Sequence, residues 1–594
     1  MKYIAIDIEA IGLKPYGGTI WMLSITEDGK TELIEDCNGI KKLSSNIKKK
    51  LEDENYCKII HSSEYDGPYI ALVLGCRICN IWDSQLNEII IQGMRVSAKS
   101  KDELLKQQYS TSLKYVLPRY GYKEPKKDLR LQFINREKGI PFSNSLKKYA
   151  IDDTKDLIKI QRKQFKILQQ EQSLPIAELE NKVAEKIIQM RVYGIGFDSN
   201  EWERIAEENE IEYASRMRKL SKYVDNWGSP KQVKQYFASE HNIRIDSFKN
   251  IYKIYLQTRN KTLAQFIWAK EIRVSITKYG LNWFENGYID ADNRIRCNVD
   301  QIVDTGRMSI SNPPLQGMPG VDIKVRQRLQ ALDTIVKQLK LSGRSIPQHR
   351  RAFVSKPGYS FVNGDFTGQE LGVMAAASGE KLWIDAMLRG EDVHSLMASL
   401  MFQNEWSNAT MKGCTFPFKC KCPGHIELRE PAKTLNFMLA YGGGSTKFSE
   451  DTGIELDEAK NIIHRYKRII PTLTNWLDKN GKQGLYSGYS YSADPYKRKR
   501  KLNGEEDWQI INQAKNHPIQ SAGANMLKLA MVSIPDKYPI VLVIHDQIIL
   551  EVKDLEAEKA AKVLKTAMEN AANYITGIEG LIRVKPVIGK NLMK

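Results

Sequence analysis

The chain places an aspartate at the tip of an otherwise apolar hairpin. In residues 541–552, VLVIHDQIILEV, two short runs rich in β-branched side chains flank His545, Asp546 and Gln547, which fall in a tight connection. A carboxylate held there is costly unless it is paired or binds a metal ion. A second apolar run, residues 359–364, ends in the same manner at Asp365 and leads into a helix start at 366–371. Two carboxylates delivered by strand ends can share a pair of metal ions.

A second acidic set lies near the N-terminus. In residues 2–10, Ile4, Ile6 and Ile8 alternate with Ala5, Asp7 and Glu9, so a period of two puts Asp7 and Glu9 on one face. An apolar run at 57–60 is followed by His61-Ser62-Ser63-Glu64-Tyr65-Asp66, and Tyr149 and Asp153 fall in a segment predicted to be helical as far as about residue 168. Hard divalent cations take carboxylate oxygens, and two of them about 4 Å apart can activate water and stabilise a departing oxyanion. Asp7, Glu9, Asp66 and Asp153, with Tyr149 four residues before the last, read as one set.

The elements that must position these groups need a long chain. At 594 residues there is room for several domains. Lys and Arg (89) exceed Asp and Glu (71) by 18, which favours a polyanionic partner such as nucleic acid. There is no long uncharged apolar run and no signal-peptide pattern, which excludes a membrane span and predicts a soluble, cytoplasmic protein. Eight cysteines do not suggest a disulfide framework. The basic run 497–501 reads as a solvated face or a backbone-phosphate contact, and residues 321–346, with apolar side chains at helical spacing, as a packed surface helix.

Arg429, Lys433, Phe437 and Tyr441 recur every four residues and therefore line one stripe of a helix. The reading places Pro431 in the first turn and the stop at Gly442-Gly443-Gly444, so that the cationic end carries the free N–H groups suited to phosphate. Just before this stripe, Cys414, Cys420, Cys422 and His425 crowd into a dozen residues marked as loop by Pro417, Pro423 and Gly424. Three thiolates and an imidazole complete a tetrahedral shell for one structural Zn²⁺, with free reduced thiols as the alternative.

Two sets of motifs resemble known families. Asp7-x-Glu9, the run ending at Asp66, and Tyr149-x-x-x-Asp153 resemble the DnaQ-like 3′–5′ exonuclease domain, with Ser62 where that family usually has Asn. The resemblance implies that Asp7, Glu9, Asp66 and Asp153 hold two divalent ions and that Tyr149 orients the attacking water. The segments Thr305-Gly306-Arg307, Asp365 to Leu371, the Arg429–Tyr441 stripe, Asn516 to Gln520 and His545-Asp546 resemble, in order, the motifs of family A DNA polymerases.

From these resemblances follows an α/β multidomain architecture: a ribonuclease H-like exonuclease domain (1–172), then a right-hand polymerase domain (173–594). Within it the thumb is expected at about 173–290, the palm at about 291–378 and 512–594, and the fingers at about 379–511. The resemblance implies Mg²⁺, two ions per active site and replaceable by Mn²⁺, held in the palm by Asp365 and Asp546. It implies dNTP contacts from Arg350, Gln369, Glu370, Arg429, Lys433, Phe437 and Tyr441, with Glu370 as a steric gate against ribose. It implies contacts to primer-template DNA from Arg307, Gln316, Asn516, Gln520 and His545.

The chain departs from the polymerase pattern in several places, beginning with Pro314 and Gly317 in place of two family asparagines. Asn512 stands where the family has Arg, Gln547 where Glu follows His-Asp, and residues 321–346 are an insertion. No room for a 5′ nuclease precedes Asp7, which suggests a phage replicative type acting in the host bacterial cytoplasm. The rival readings are an exonuclease whose polymerase body only clamps DNA, a single-subunit RNA polymerase, and a non-catalytic nucleic-acid-binding protein.

Overall fold

The computed structural model describes residues 2–592 apart from 13, 96–101, 125–128, 135, 249–250 and 319–348. The helix expected at 321–346 lies outside the described residues.

The N-terminal sheet is built from β1 (Lys2–Ile11), β2 (Thr19–Glu27), β3 (Lys30–Glu35), β4 (Tyr56–Ile60) and β5 (Ile81–Asp83), in the order β3-β2-β1-β4-β5. β1 is central, antiparallel to β2 and parallel to β4. Its side chains meet apolar layers on both faces: Ile4, Ile6 and Ile8 pack in one cluster and Ala5 in another. Helices α1 (Ser63–Leu74) and α2 (Ser84–Gln92) follow β4 and β5.

The helix expected over 149–168 is two helices, α3 (Asn144–Thr154) and α4 (Leu157–Gln170). The break has a local cause. Thr154 is fully buried and bonds the Thr26 hydroxyl on β2 at 2.9 Å, which ties the end of α3 to that strand while α4 packs on β1, β4 and α2.

α5 (Leu174–Tyr193) runs between this unit and the rest of the chain and packs on α1, α2 and β5 on one side. Ile188 fits against Gly67 of α1, where an added Cβ would meet its Cδ1 at 2.3 Å. Next come α6 (Ser199–Leu220), α7 (Pro230–His241) and α8 (Lys261–Tyr279). Leu220, Trp227, Phe237, Phe266 and Trp268 give this region a core of its own. As the Ser-Pro pair predicts, Ser229 caps α7 and Pro230 occupies its first turn.

A second sheet contains β6 (Tyr359–Asp365), β7 (Ile540–Ile544), β8 (Gln547–Lys553) and β9 (Val587–Gly589), in the order β7-β8-β6-β9. After β6, the left-handed Gly368 (φ +67°) turns the chain into α9 (Gln369–Ser378). The intervening helices that matter for the sites are α10 (Val393–Met401), α11 (Gln403–Asn408), α12 (Pro423–Met438) and α13 (Pro471–Ser487). The 27-residue α14 (Asp507–Ser533) packs against α5, α9, α13 and α15 (Ala557–Thr576), and so forms the spine of this half. No helix among the described residues is long and apolar enough to cross a membrane.

Candidate active sites

In the N-terminal half, β1 projects Asp7 and Glu9 into a cleft of about 500 Å³, joined there by His61, Asp66 at the start of α1, and Tyr149 and Asp153 of α3. Asp7, Glu9 and Asp153 bring carboxylate oxygens within 4.8 Å of one another. A register shift between Glu9 and Ala10 in the β1–β2 ladder lies at the same point. Asp66 is buried, and its Oδ2 has no donor among the described residues. Burial, and then the charges of Asp7 and Glu9, push its carboxyl well above the usual carboxylate range. Burial and the Asp153 charge likewise raise the Tyr149 phenol.

Crowded acids of this kind fit divalent cations, whose charge removes the repulsion. All five residues expected here are brought together. His61 and the exposed Arg130 also line the cleft and had no role assigned from the sequence. His61 bonds Ser84 at 2.9 Å, and Arg130 stands near the Tyr149 hydroxyl. A histidine directly after β4 was a visible signal, whereas Arg130 carries no pattern. Ser62, at φ +77°, and Ser63 direct their backbone N–H groups to Asp83 at 3.3 and 2.6 Å, which fixes the turn that delivers Asp66.

In the other half, β6 and β8 pair so that Asp365 faces Gln547. The connection between β7 and β8 is two residues, His545 and Asp546, with His545 exposed at φ +55°. Gln547 is therefore the first residue of β8 rather than part of the loop expected for it, because it pairs with Ile544 and closes the ladder. Asp365 and Asp546 thus stand at the same edge of the sheet. Gln547 Nε2 donates to Asp365 Oδ2 at 3.1 Å, while its buried Oε1 has no donor among the described residues.

Beside this pair, four residues singled out in the sequence form one network. Arg307 Nη2 donates to Glu370 Oε1 at 2.6 Å, the Tyr441 hydroxyl lies 3.1 Å from both Glu370 oxygens, and Gln520 Nε2 donates to Tyr441 at 2.9 Å. Arg307 is held from behind by a group that the sequence reading missed. Lys528 of α14 is fully buried and donates to the carbonyls of Gly306 and Gln301 at 2.8 and 2.9 Å. Its ammonium also meets Glu180 of α5 at 2.7 Å, and Arg498 pairs with the same carboxylate. Burial lowers the Lys528 pKa to about 8, whereas the two cations hold Glu180 below its usual range despite its burial.

Several expectations need correction. The basic run 497–501 is not a solvated face. Arg498 is buried on Glu180 and Asn525, Lys499 pairs with Glu171 at 2.7 Å and Lys501 bonds Tyr109, so the run ties α14 to the N-terminal half. The fingers stripe also begins earlier than its pattern suggested. α12 starts at Pro423, which takes the first-turn position expected of Pro431, and it ends at Met438. Arg429 therefore lies mid-helix, away from the free N–H groups, Pro431 interrupts the helix interior, and Tyr441 lies in the turn beyond. That turn is tight: a Cβ on Gly442 would meet Asn512 Oδ1 at 1.7 Å.

Arg429 makes a two-pronged ion pair with Asp392 at 2.6 and 2.9 Å. Lys433 is half-buried and makes no ion pair among the described residues. Phe437 packs on His394, ring centroids 5.6 Å apart. Gln369, expected among the nucleotide contacts, has its side chain buried against α14, where it donates to Gly523 O at 3.1 Å, as its place on the inner face of α9 requires. Gln316 holds the turn after the Asn298–Asp300 and Ser309–Ser311 hairpin through Ile310 N and Met308 O. Arg350 donates to Met318 O at 3.2 Å. Asn516 is half-buried on α14 one turn before Gln520.

The fold, a carboxylate cleft on one sheet and a strand-tip aspartate pair on another, is that of a polymerase carrying a second, nuclease-like unit. It superimposes with a TM-score of 0.77 on a structure described as the POL domain of Pol1 from M. smegmatis in complex with DNA primer-template and dNTP, at 20% identity over 99% of this chain and 95% of that one. The chain belongs to DNA polymerase family A, whose profile matches residues 199–594, and a 3′–5′ exonuclease profile matches residues 1–169.

Among curated relatives, the thermostable DNA polymerase I of Thermus thermophilus is 30% identical over 280 residues, 45% of this chain and 29% of that protein. DNA polymerase I of Lactococcus lactis subsp. lactis is 25% identical over 428 residues, 68% of this chain and 44% of that one. The chain spans less than half the length of these relatives.

Proposed function

We propose that this protein extends the 3′ end of a DNA primer with dNTPs and removes mispaired 3′ ends in its N-terminal cleft. The observation that carries this reading is the β6–β8 register, which sets Asp365 opposite Gln547 and so beside Asp546 at one sheet edge. Divalent cations, Mg²⁺ in this proposal, would be held there by Asp365 and Asp546 and would neutralise charge developing on the transferring phosphoryl group. In the cleft, Asp7, Glu9, Asp66 and Asp153 would hold the equivalent pair.

The chain's own groups do the positioning. Arg307 and Tyr441 fix Glu370, whose side chain then crowds the sugar and disfavours ribose. Lys433 and Arg350 approach the triphosphate, joined by Arg429 when it exchanges Asp392 for phosphate. Asn516, Gln520, Gln316 and His545 face the duplex, and Phe437 the sugar. Tyr149 orients the attacking water in the cleft.

Gln547 and Asn512, in place of family residues, favour one second reading: a 3′–5′ exonuclease whose larger domain mainly clamps DNA. A primed template with dNTPs and Mg²⁺ separates the two. Extension by the wild type, lost by on the order of 10³-fold or more in Asp546→Ala and kept in Asp66→Ala, is the expected result. A primer that is only shortened, with Asp546→Ala unchanged and Asp66→Ala inert, would establish the second reading instead.

A further inference from the structure

Cys414, Cys420, Cys422 and His425, adjacent in sequence only as a loop, converge on one point in the fold. One donor atom from each lies within 4.8 Å of all the others. The sulfurs of Cys420 and Cys414 approach His425 Nδ1 at 3.1 and 3.6 Å. A tetrahedral zinc shell, with bonds of about 2.3 Å to sulfur and about 2.0 Å to nitrogen, requires donor–donor edges of about 3.5–3.8 Å. A single Nδ1 lone pair cannot accept from both thiols at good geometry, whereas a cation between them satisfies all four donors.

The surroundings select the state of the imidazole that binds metal. His425 is buried, and its Nε2 lies 2.8 Å from the Trp406 carbonyl, so Nε2 carries the proton and Nδ1 presents its lone pair to the sulfurs. The ring lies flat on the Trp406 indole, centroids 3.7 Å apart and 6° from parallel, which fixes its orientation. Phe416 N–H donates to Cys414 Sγ at 3.5 Å. Cys422 is the N-cap of α12, which places it at the start of the helix that carries His425. Cys420 and Cys422 are buried, so neither is a reactive surface thiol.

We propose that these four side chains bind one structural Zn²⁺ that fastens the C-terminal end of α11, the 409–422 loop and the first turn of α12 together. On binding, three thiol protons leave to solvent and the site carries one net negative charge, next to the exposed Lys412, Lys419 and Lys421. All four positions are filled by the chain, so the site has no opening for water or substrate and its role is structural. The same loop reaches the nucleotide-facing residues. Pro417 O accepts from Asp392 N at 3.0 Å, and Asp392 is both the N-cap of α10 and the partner of Arg429. The metal therefore sets the position of Arg429 through the loop.

The test uses the full chain and metal alone, and does not depend on the polymerase reading. Protein purified without added metal and washed with a weak chelator should hold about one zinc per chain, and cobalt loaded in its place should give the intense thiolate-to-cobalt absorption of a sulfur-rich tetrahedral site. Stripping with a strong chelator should open three further thiols to a thiol reagent and lower the melting temperature. Cys420→Ser should lose the zinc while keeping a cooperative thermal unfolding transition, which reports that the chain is folded. Wild-type protein with substoichiometric zinc, no thiolate-to-cobalt band and thiols equally reactive with and without chelator would overturn the proposal, as would a Cys414–Cys420 disulfide found by mass.

Discussion

In the N-terminal cleft three carboxylates hold their oxygens within 4.8 Å of one another and a fourth, Asp66, is buried beside them; at the edge of the second sheet two aspartates stand with an amide between them. In the reading proposed above, the first site would offer a metal pair four carboxylates from a compact unit of about 170 residues. The second leaves much of the sphere open and draws its neighbours from segments around residues 307, 370, 441 and 520. Mg²⁺ readily takes one or two carboxylates and completes its shell with substrate phosphates. A site that binds a triphosphate can therefore be sparse, but its distant parts need a scaffold. Glu180, Lys528 and Arg498 are that scaffold, whereas in the N-terminal unit the buried Asp83 fixes the turn that delivers Asp66.

The largest effect should come from breaking the scaffold. Glu180→Ala leaves two buried cations facing each other and should cost about 3–5 kcal/mol, read as a lower melting temperature. Primer extension should fall much further than 3′-end trimming in the same sample; equal losses would mean that the buried triad supports both halves alike. Glu180→Gln, which keeps the volume and one acceptor, should fall between wild type and the Ala variant.

Acid should separate the halves next. Burial lowers the pKa of His349 to about 4 and of His394 to about 3, from an ordinary value of 6.5, and both belong to the larger domain. A folded-state pKa that is depressed makes a contribution fully present above pH 6.5 and lost as pH falls toward 4, because the unfolded chain takes up the proton first. For His349 alone the loss is about 3 kcal/mol. Calorimetry between pH 7 and 4.5 should show the larger domain losing stability over this window, and His349→Gln should flatten the slope. A pH-independent melting profile would show that these imidazoles are solvated.

The smallest effect should come from making the two sites more alike. Gln547→Glu adds a third carboxylate beside Asp365 and removes the 3.1 Å donor that now holds Asp365 Oδ2. The divalent-ion concentration giving half-maximal extension should drop by about tenfold, equivalent to about 1.4 kcal/mol, while trimming keeps its metal dependence. An unchanged requirement for extension would mean that Gln547 acts only on the orientation of Asp365.

Much of this architecture was legible in the chain itself. Alternation with a period of two marked β1, and continuous apolar runs rich in β-branched side chains marked β6, β7 and β8, which set Asp7, Glu9, Asp365 and Asp546 at their places, since both patterns are local properties of the chain. The Ser229-Pro230 cap was legible for the same reason. The start of α12 was less so: Pro423 and Pro431 are both compatible with a first turn, and what selects Pro423 is the packing of His425 on Trp406, a contact made between two helices. The same holds for the basic run 497–501. Locally it is indistinguishable from a solvated face, and the arrival of Glu180, more than 300 residues earlier, gives Arg498 a buried counter-charge.

What the sequence determined by itself was therefore the identity of the chemical groups and the strands and helices that carry them. What tertiary structure alone decided was which charges became buried and paired, because the cost of burying a charge depends on the partner it meets, and that partner is brought by the fold.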